Sequence, residues 1–87
     1  MTGGIQMESR VAIISIIVEN IEQVTALNAL LHEFSEYIIG RMGIPYRQRG
    51  ISIISVAIDA PQDTINGLSG RIGRLTGVTA KTVYSRV

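Results

Sequence analysis

The strongest constraint on this chain is a pair of short apolar runs that match position by position forty residues apart, Ile13-Ile14-Ser15-Ile16-Ile17-Val18 and Ile53-Ile54-Ser55-Val56-Ala57-Ile58. Each is too short to span a membrane and is dominated by β-branched side chains, whose stiffness at χ1 suits a pleated strand. Side chains on a strand alternate with a period of two, so Val11, Ile13 and Ile17 fall on one side of the first run and Ala12, Ile14, Ile16 and Val18 on the other. The second run repeats this, with Ile51, Ile53 and Ala57 against Ile54, Val56 and Ile58. Apolar side chains on both faces mark inner strands, so residues 10–18 and 51–58 are expected to be neighbours in one sheet. A helical pattern follows each run, which divides the chain into two strand-helix-strand halves.

The rest of the chain fits this frame. Asn20 is an N-cap residue with Gln23 at capping-box spacing, and Val24, Leu27, Leu31 and Phe34 form one stripe of a first helix ending near Phe34. Residues 37–46 read as an edge strand, because Pro45 has no N–H to donate and Gly40 and Gly43 weaken an interior position. Residues 47–50 turn the chain, with Gly50 free to take a positive φ. A second helix is expected from Pro61 in its first turn, with Asp63 at the positive end, the stripe Ile65, Leu68, Ile72 and Leu75, and Gly77 as its stop. Gly67, Gly70 and Gly73 lie inside that helix, each at a cost of about 1 kcal/mol relative to Ala. Gly70 falls opposite the apolar stripe, so these three glycines are a candidate interface for a partner helix or a ligand; the alternative is a short, irregular helix. Residues 78–84 close the chain as a fourth strand, with Val78, Ala80, Thr82 and Tyr84 on one face.

The order β-α-β-β-α-β, with right-handed crossovers and the two most apolar strands central, predicts an α+β ferredoxin-like sandwich. Its antiparallel sheet has the order 4-1-3-2 and both helices on one face. The other face is then bare yet apolar, so a homo-oligomer, dimer or tetramer, is expected to hide it.

Composition narrows the function classes. With 87 residues, 46% of them hydrophobic, the chain has room for one core, taken here as a single domain over residues 8–87 behind a flexible leader over residues 1–7 that contains Gly3-Gly4. The absence of Cys excludes disulfides, thiol catalysis and thiolate metal sites and fits a reducing cytoplasm, the expected location. No apolar run reaches the ~20 residues of a spanning helix, so no membrane association is expected. Charge is uneven: residues 1–36 carry five glutamates against one arginine, net −4, and residues 37–87 carry seven basic against two acidic residues, net +5. Complementary solvated faces account for this split, and an anion site drawn from Arg41, Arg47, Arg49, Arg71 and Arg74 is the alternative. With one Phe, three Tyr and no Trp there is little for single-stranded nucleic acid to stack on, and direct nucleic-acid binding is not expected. The chain has one histidine, His32, on the flank of the first helix, with Glu33 and Glu36 as its nearest potential co-ligands. That is too few for a closed metal site, and no triad or acid–base pair can be assembled around Ser35, so no catalytic residue, metal or cofactor is assigned.

Two stretches, LNALLHEFSEYIIGRMGIP from Leu27 to Pro45 and ISIISVAIDAPQDTINGLSGRIGRLTGVTAKTV from Ile51 to Val83, are distinctive, LLHEFSE and DTINGLSGRIGRLTGV most of all. Through them the chain after Met7 resembles the small regulators of the iron-only hydrogenase system. The resemblance implies an ACT-like fold, similar to the ligand-binding domain of nickel-responsive repressors, and a regulatory rather than enzymatic role. It places His32 on a metal-ligand position of those repressors. Gly43, Ile44 and Pro45 stand where further histidines would be expected, and the repressors' ribbon-helix-helix is absent. The glycine-containing turn that amino-acid-binding ACT domains place after their first strand is replaced by Glu19-Asn20-Ile21. The expected function is an ACT-like regulatory, ligand-sensing module that oligomerises and acts through a partner protein or small effector. Asn20 and His32 are its candidate ligand-binding residues. The second reading is a metal- or metabolite-responsive transcriptional regulator lacking its own DNA-binding domain.

Overall fold

Strand β1 (Ser9–Val18) pairs along its whole length with β3 (Ile51–Pro61), from Ser9 opposite Pro61 to Val18 opposite Ser52. The computed structural model describes residues 8–87, so the leader expected over residues 1–7 lies outside the described residues. Between these strands come α1 (Val24–Glu33) and β2 (Ile38–Tyr46), and after them α2 (Gln62–Gly73) and β4 (Val78–Tyr84). The four strands form one antiparallel sheet in the order β2-β3-β1-β4. This is a small α+β domain with the strand order of a ferredoxin-like fold.

Alternation along the inner strands sorts the side chains as the period of two requires. Ala12, Ile14, Ile16 and Val18 of β1 and Ile54, Val56, Ile58 and Ala60 of β3 are buried in one cluster with Leu27, Leu30 and Leu31 of α1 and Ile65, Leu68 and Ile72 of α2. Both helices therefore cover the same face. No polar side chain is buried among the described residues, so the core is held by apolar area and shape alone.

The structure moves several element ends. β3 continues past residue 58 to Pro61, because Asp59 and Ala60 still find partners in Val11 and Arg10. Pro61 therefore lies one residue ahead of the helix, as the N-cap with φ −57° and ψ 147°, rather than inside its first turn. α2 stops at Gly73, so Gly67 and Gly70 are interior and Gly73 is its last residue; Leu75 leaves the helix but still packs on the core. Asn20 caps a 3₁₀ turn, Ile21–Gln23, that leads into α1, its Oδ1 accepting the Glu22 N–H at 3.1 Å. Tyr37 belongs to a second 3₁₀ turn, Ser35–Tyr37, ahead of β2. Gly50 has φ 67° after a third, Arg47–Arg49, as its position in the turn requires.

Gly77 has a different role from the one assigned to it as a helix stop. It lies in the turn into β4 at φ 73°, and its carbonyl accepts the N–H groups of both Glu19 (2.7 Å) and Asn20 (3.3 Å). A Cβ at this position would come within 2.8 Å of the Asn20 Cβ, so both backbone strain and sterics demand glycine.

Urea denaturation at fixed protein concentration should separate these roles. Gly77→Ala is expected to destabilise by about 2 kcal/mol, and Gly67→Ala, where a Cβ meets nothing within 4 Å beyond the helix's own backbone, to stabilise by up to about 1 kcal/mol. Ile14→Ala, at a fully buried site, should lower stability by about 3 kcal/mol, and a loss below about 1 kcal/mol would contradict the packing described.

Candidate functional site

Leu27, Leu30 and Leu31 of α1 pack in the core with β1 and β3, while the edge strand β2 is exposed along nearly its whole length, its helix-side residues included. A groove results. One wall is the flank of α1 that carries Asn28 and His32, one helical turn apart, continued by Ser35 beyond the helix end. The floor comes from β2, where the register places Ile38, Arg41, Gly43 and Pro45 on the helix side, opposite Ile58, Val56, Ile54 and Ser52. A β-bulge at Ile39 shifts the register between Ile38 and Gly40 and so brings Arg41, not Gly40, to this face.

The groove has three compartments that share walls. Nearest the end of α1, a cavity of about 220 Å³ is lined by Asn28, Leu31, His32, Ser35, Ile38 and Arg41. Arg41 spans its edge and donates from Nη2 to Asn28 Oδ1 at 2.7 Å. Through Asn28 and Arg41 it opens into a cleft of about 260 Å³ that is mostly apolar, with Val24, Gly43, Pro45 and Ile54 in its walls. Through Val24, Pro45 and Ser52 this in turn meets a cavity of about 420 Å³ bounded by Ile21, Arg47 and Ile51. No Asp or Glu lines any of the three.

The arginines are not equivalent. Arg71 on α2 makes a bidentate ion pair with Glu33 at the end of α1, both N···O distances 3.2 Å, with its guanidinium 5.8 Å from the centre of the Phe34 ring. It joins the helices and is withdrawn from any anion site. Arg41 and Arg47 line the groove, whereas Arg49 and Arg74 line none of its compartments.

The other candidates lie apart from His32. Asn20 stands at the opposite end of α1, with its side chain engaged in the cap and its Cβ against Gly77; the structure does not bring it to the His32 cavity. Gly67, Gly70 and Gly73 are exposed on α2, and a Cβ on any of them would meet nothing within 4 Å beyond the helix's own backbone. Asn28 was not anticipated. Its place one turn before His32 is a readable signal, but the meeting with Arg41 depends on the bulge in β2. Among the described residues no three His, Cys, Asp or Glu side chains are grouped to hold a metal ion, and no helix is long and apolar enough to cross a membrane.

On the opposite side of the sheet the odd-numbered residues of β1 face outward with their partners. Cross-strand rows run Ile44-Ile53-Ile17-Thr79, Met42-Ser55-Ser15-Lys81 and Gly40-Ala57-Ile13-Val83. Large apolar side chains on this face remain exposed, from 39% for Val11 to 64% for Val83.

Comparison with known proteins gives these surfaces a context. No curated protein matches the chain. Fifteen chains of solved structures do. One is the uncharacterized protein TM1266 from Thermotoga maritima, similar with a TM-score of 0.86 and 41% sequence identity over 91% of this chain and 100% of that one. A family model, TM1266-like, with the description "Iron-only hydrogenase system regulator, putative", matches residues 10–82, which reach into all four strands and take in both helices. The chain belongs to this TM1266-like family.

Proposed function

We propose that the chain is a small ACT-like regulatory module of the iron-only hydrogenase system, without catalytic activity of its own. It assembles with itself through the open face of its sheet and responds to a small effector or a partner protein. One observation carries this reading: Val11, Ile13, Ile17, Met42, Ile44, Ile53 and Val83 stay exposed on one side of the sheet, flanking the Ser15–Ser55 pair, while the helices cover the inner strands from the other side. Joined by Tyr46, they are grouped on one face rather than scattered singly as exposed apolar residues normally are, which marks an interaction surface.

A second copy suits this surface best. Its centre carries no charge, and the two charged residues that the register puts on this side, Asp59 on β3 and Lys81 on β4, are of opposite sign. A two-fold axis sets the same patch against itself, so each charge has an opposite counterpart available on the other copy. The exposed glycines of α2 and the groove beside α1 stay outside such a contact and are left for the partner or effector. Regulation then follows from linkage: a ligand that binds one assembly state more tightly shifts the population toward it.

Sedimentation equilibrium tests the assembly. The wild-type chain should be a dimer or tetramer, and Ile13→Lys, which places a charge at the middle of the open face, should weaken association by at least about a hundredfold while leaving the far-ultraviolet circular dichroism unchanged. A wild-type chain that stays monomeric at every concentration would sink the proposal.

A further inference from the structure

We infer that the groove between α1 and β2 binds a small organic carboxylate with an apolar tail and no ammonium group. Its carboxylate sits on Arg41, with His32 and Ser35 beside it, and its tail runs into the cleft walled by Val24, Pro45 and Ile54. The inference deepens the effector-responsive reading and rests on it.

The arginines near α1 supply the first argument. Arg71 is satisfied by Glu33 through two hydrogen bonds. Among the described residues Arg41 has only the neutral Asn28 carbonyl oxygen, which takes one of its N–H groups at 2.7 Å in an exposed contact at the cavity edge. A guanidinium carries five N–H donors in a planar fork that matches a carboxylate, so a held but uncompensated one is a preorganised anion receptor. The nearby end of α1 opposes an anion, but by less than a charge-assisted bond to Arg41 supplies; the Leu31 carbonyl there is already engaged by the Phe34 N–H at 3.1 Å.

The lining of the groove sets the ligand class. With no Asp or Glu in any of its compartments, it offers an ammonium neutral acceptors alone, against a charged partner for the carboxylate. Arg41 is the one guanidinium in the two compartments nearest His32, Arg47 lying in the third, so these two are matched to a single carboxylate rather than a polyphosphate. Beyond Arg41 the cleft turns apolar because Gly43 has no side chain and Pro45 no N–H; a Cβ at Gly43 would have as its nearest neighbour Ile54 Cγ1 at 3.9 Å. Compartments of about 220 and 260 Å³ are smaller than a drug-sized site and suit a tail of about four to six carbons.

Isocaproate, leucine and isohexanol share one branched tail and differ in their head groups, so they make a matched test by ¹⁵N–¹H correlation spectra of the intact protein, with sedimentation on the same samples. Isocaproate should give saturable shifts centred on Asn28, His32, Arg41 and Val24, and leucine and isohexanol should bind at least about tenfold more weakly. Arg41→Gln should weaken isocaproate by about tenfold with the spectrum otherwise preserved, and Arg49→Gln, outside the groove, should leave binding unchanged. The inference is overturned if no saturable shift appears, if the shifts centre elsewhere, if leucine binds as well as isocaproate, or if Arg41→Gln has no effect. An oligomer that ignores isocaproate would remove this site and spare the assembly; a monomer that binds it would do the reverse.

Discussion

Everything in this structure depends on the ten-residue antiparallel pairing of β1 with β3. It sets the two most apolar strands side by side at the centre, leaves one edge for β2 and the other for β4, and aligns two buried rows under the helices. Apolar patterning alone does not fix its register, since both faces of both strands are rich in Ile and Val. The serines do. Ser15 lies opposite Ser55 on the open side, and a slip of one residue in either strand would turn its serine toward a core with no polar partner.

Electrostatics play a smaller part in stability and a larger one in the division of surfaces. The Glu33–Arg71 bridge connects the acidic first part of the chain to the basic remainder, but it is half-exposed, with side-chain accessibilities of 56% and 46%. A pair of that kind contributes about 0–1 kcal/mol. Its main effect is to neutralise one arginine and leave another, Arg41, beside an oxygen that carries no charge. Tyr84 fastens the far end of the sheet in a similar way, with Arg10 4.2 Å from its ring centre and its hydroxyl donating to Asn66 of α2 at 3.0 Å.

Strand β2 belongs to both proposed surfaces. The register turns Met42, Ile44 and Tyr46 toward the open face and Arg41, Gly43 and Pro45 toward the groove. An assembly contact on one side and a ligand on the other would therefore bear on a single edge strand, held by one neighbour only. Edge strands have fewer backbone hydrogen bonds than inner ones, so a shift there needs the least of the core to move. This is a physical route by which occupancy of the groove can bias assembly.

The sequence by itself determined the two inner strands, the order of elements, the bare sheet face and the turn glycine at position 50, because each follows from local alternation, β-branching or backbone freedom. It also identified His32 as a residue to examine and drew attention to the glycines of α2. The ends of α2 and β3 were less legible: whether Pro61 ends the strand or begins the helix depends on partners in β1, and the glycine-rich end of α2 has too little helix propensity to fix where it stops. Gly77 is glycine for a reason in space, the approach of Asn20. Only the tertiary structure could place Arg41 beside Asn28 and His32 and pair Arg71 with Glu33, because a bulge in β2 and the packing of both helices on one sheet face decide which charged side chains meet. Those are long-range outcomes of packing, and spacing along the chain does not encode them.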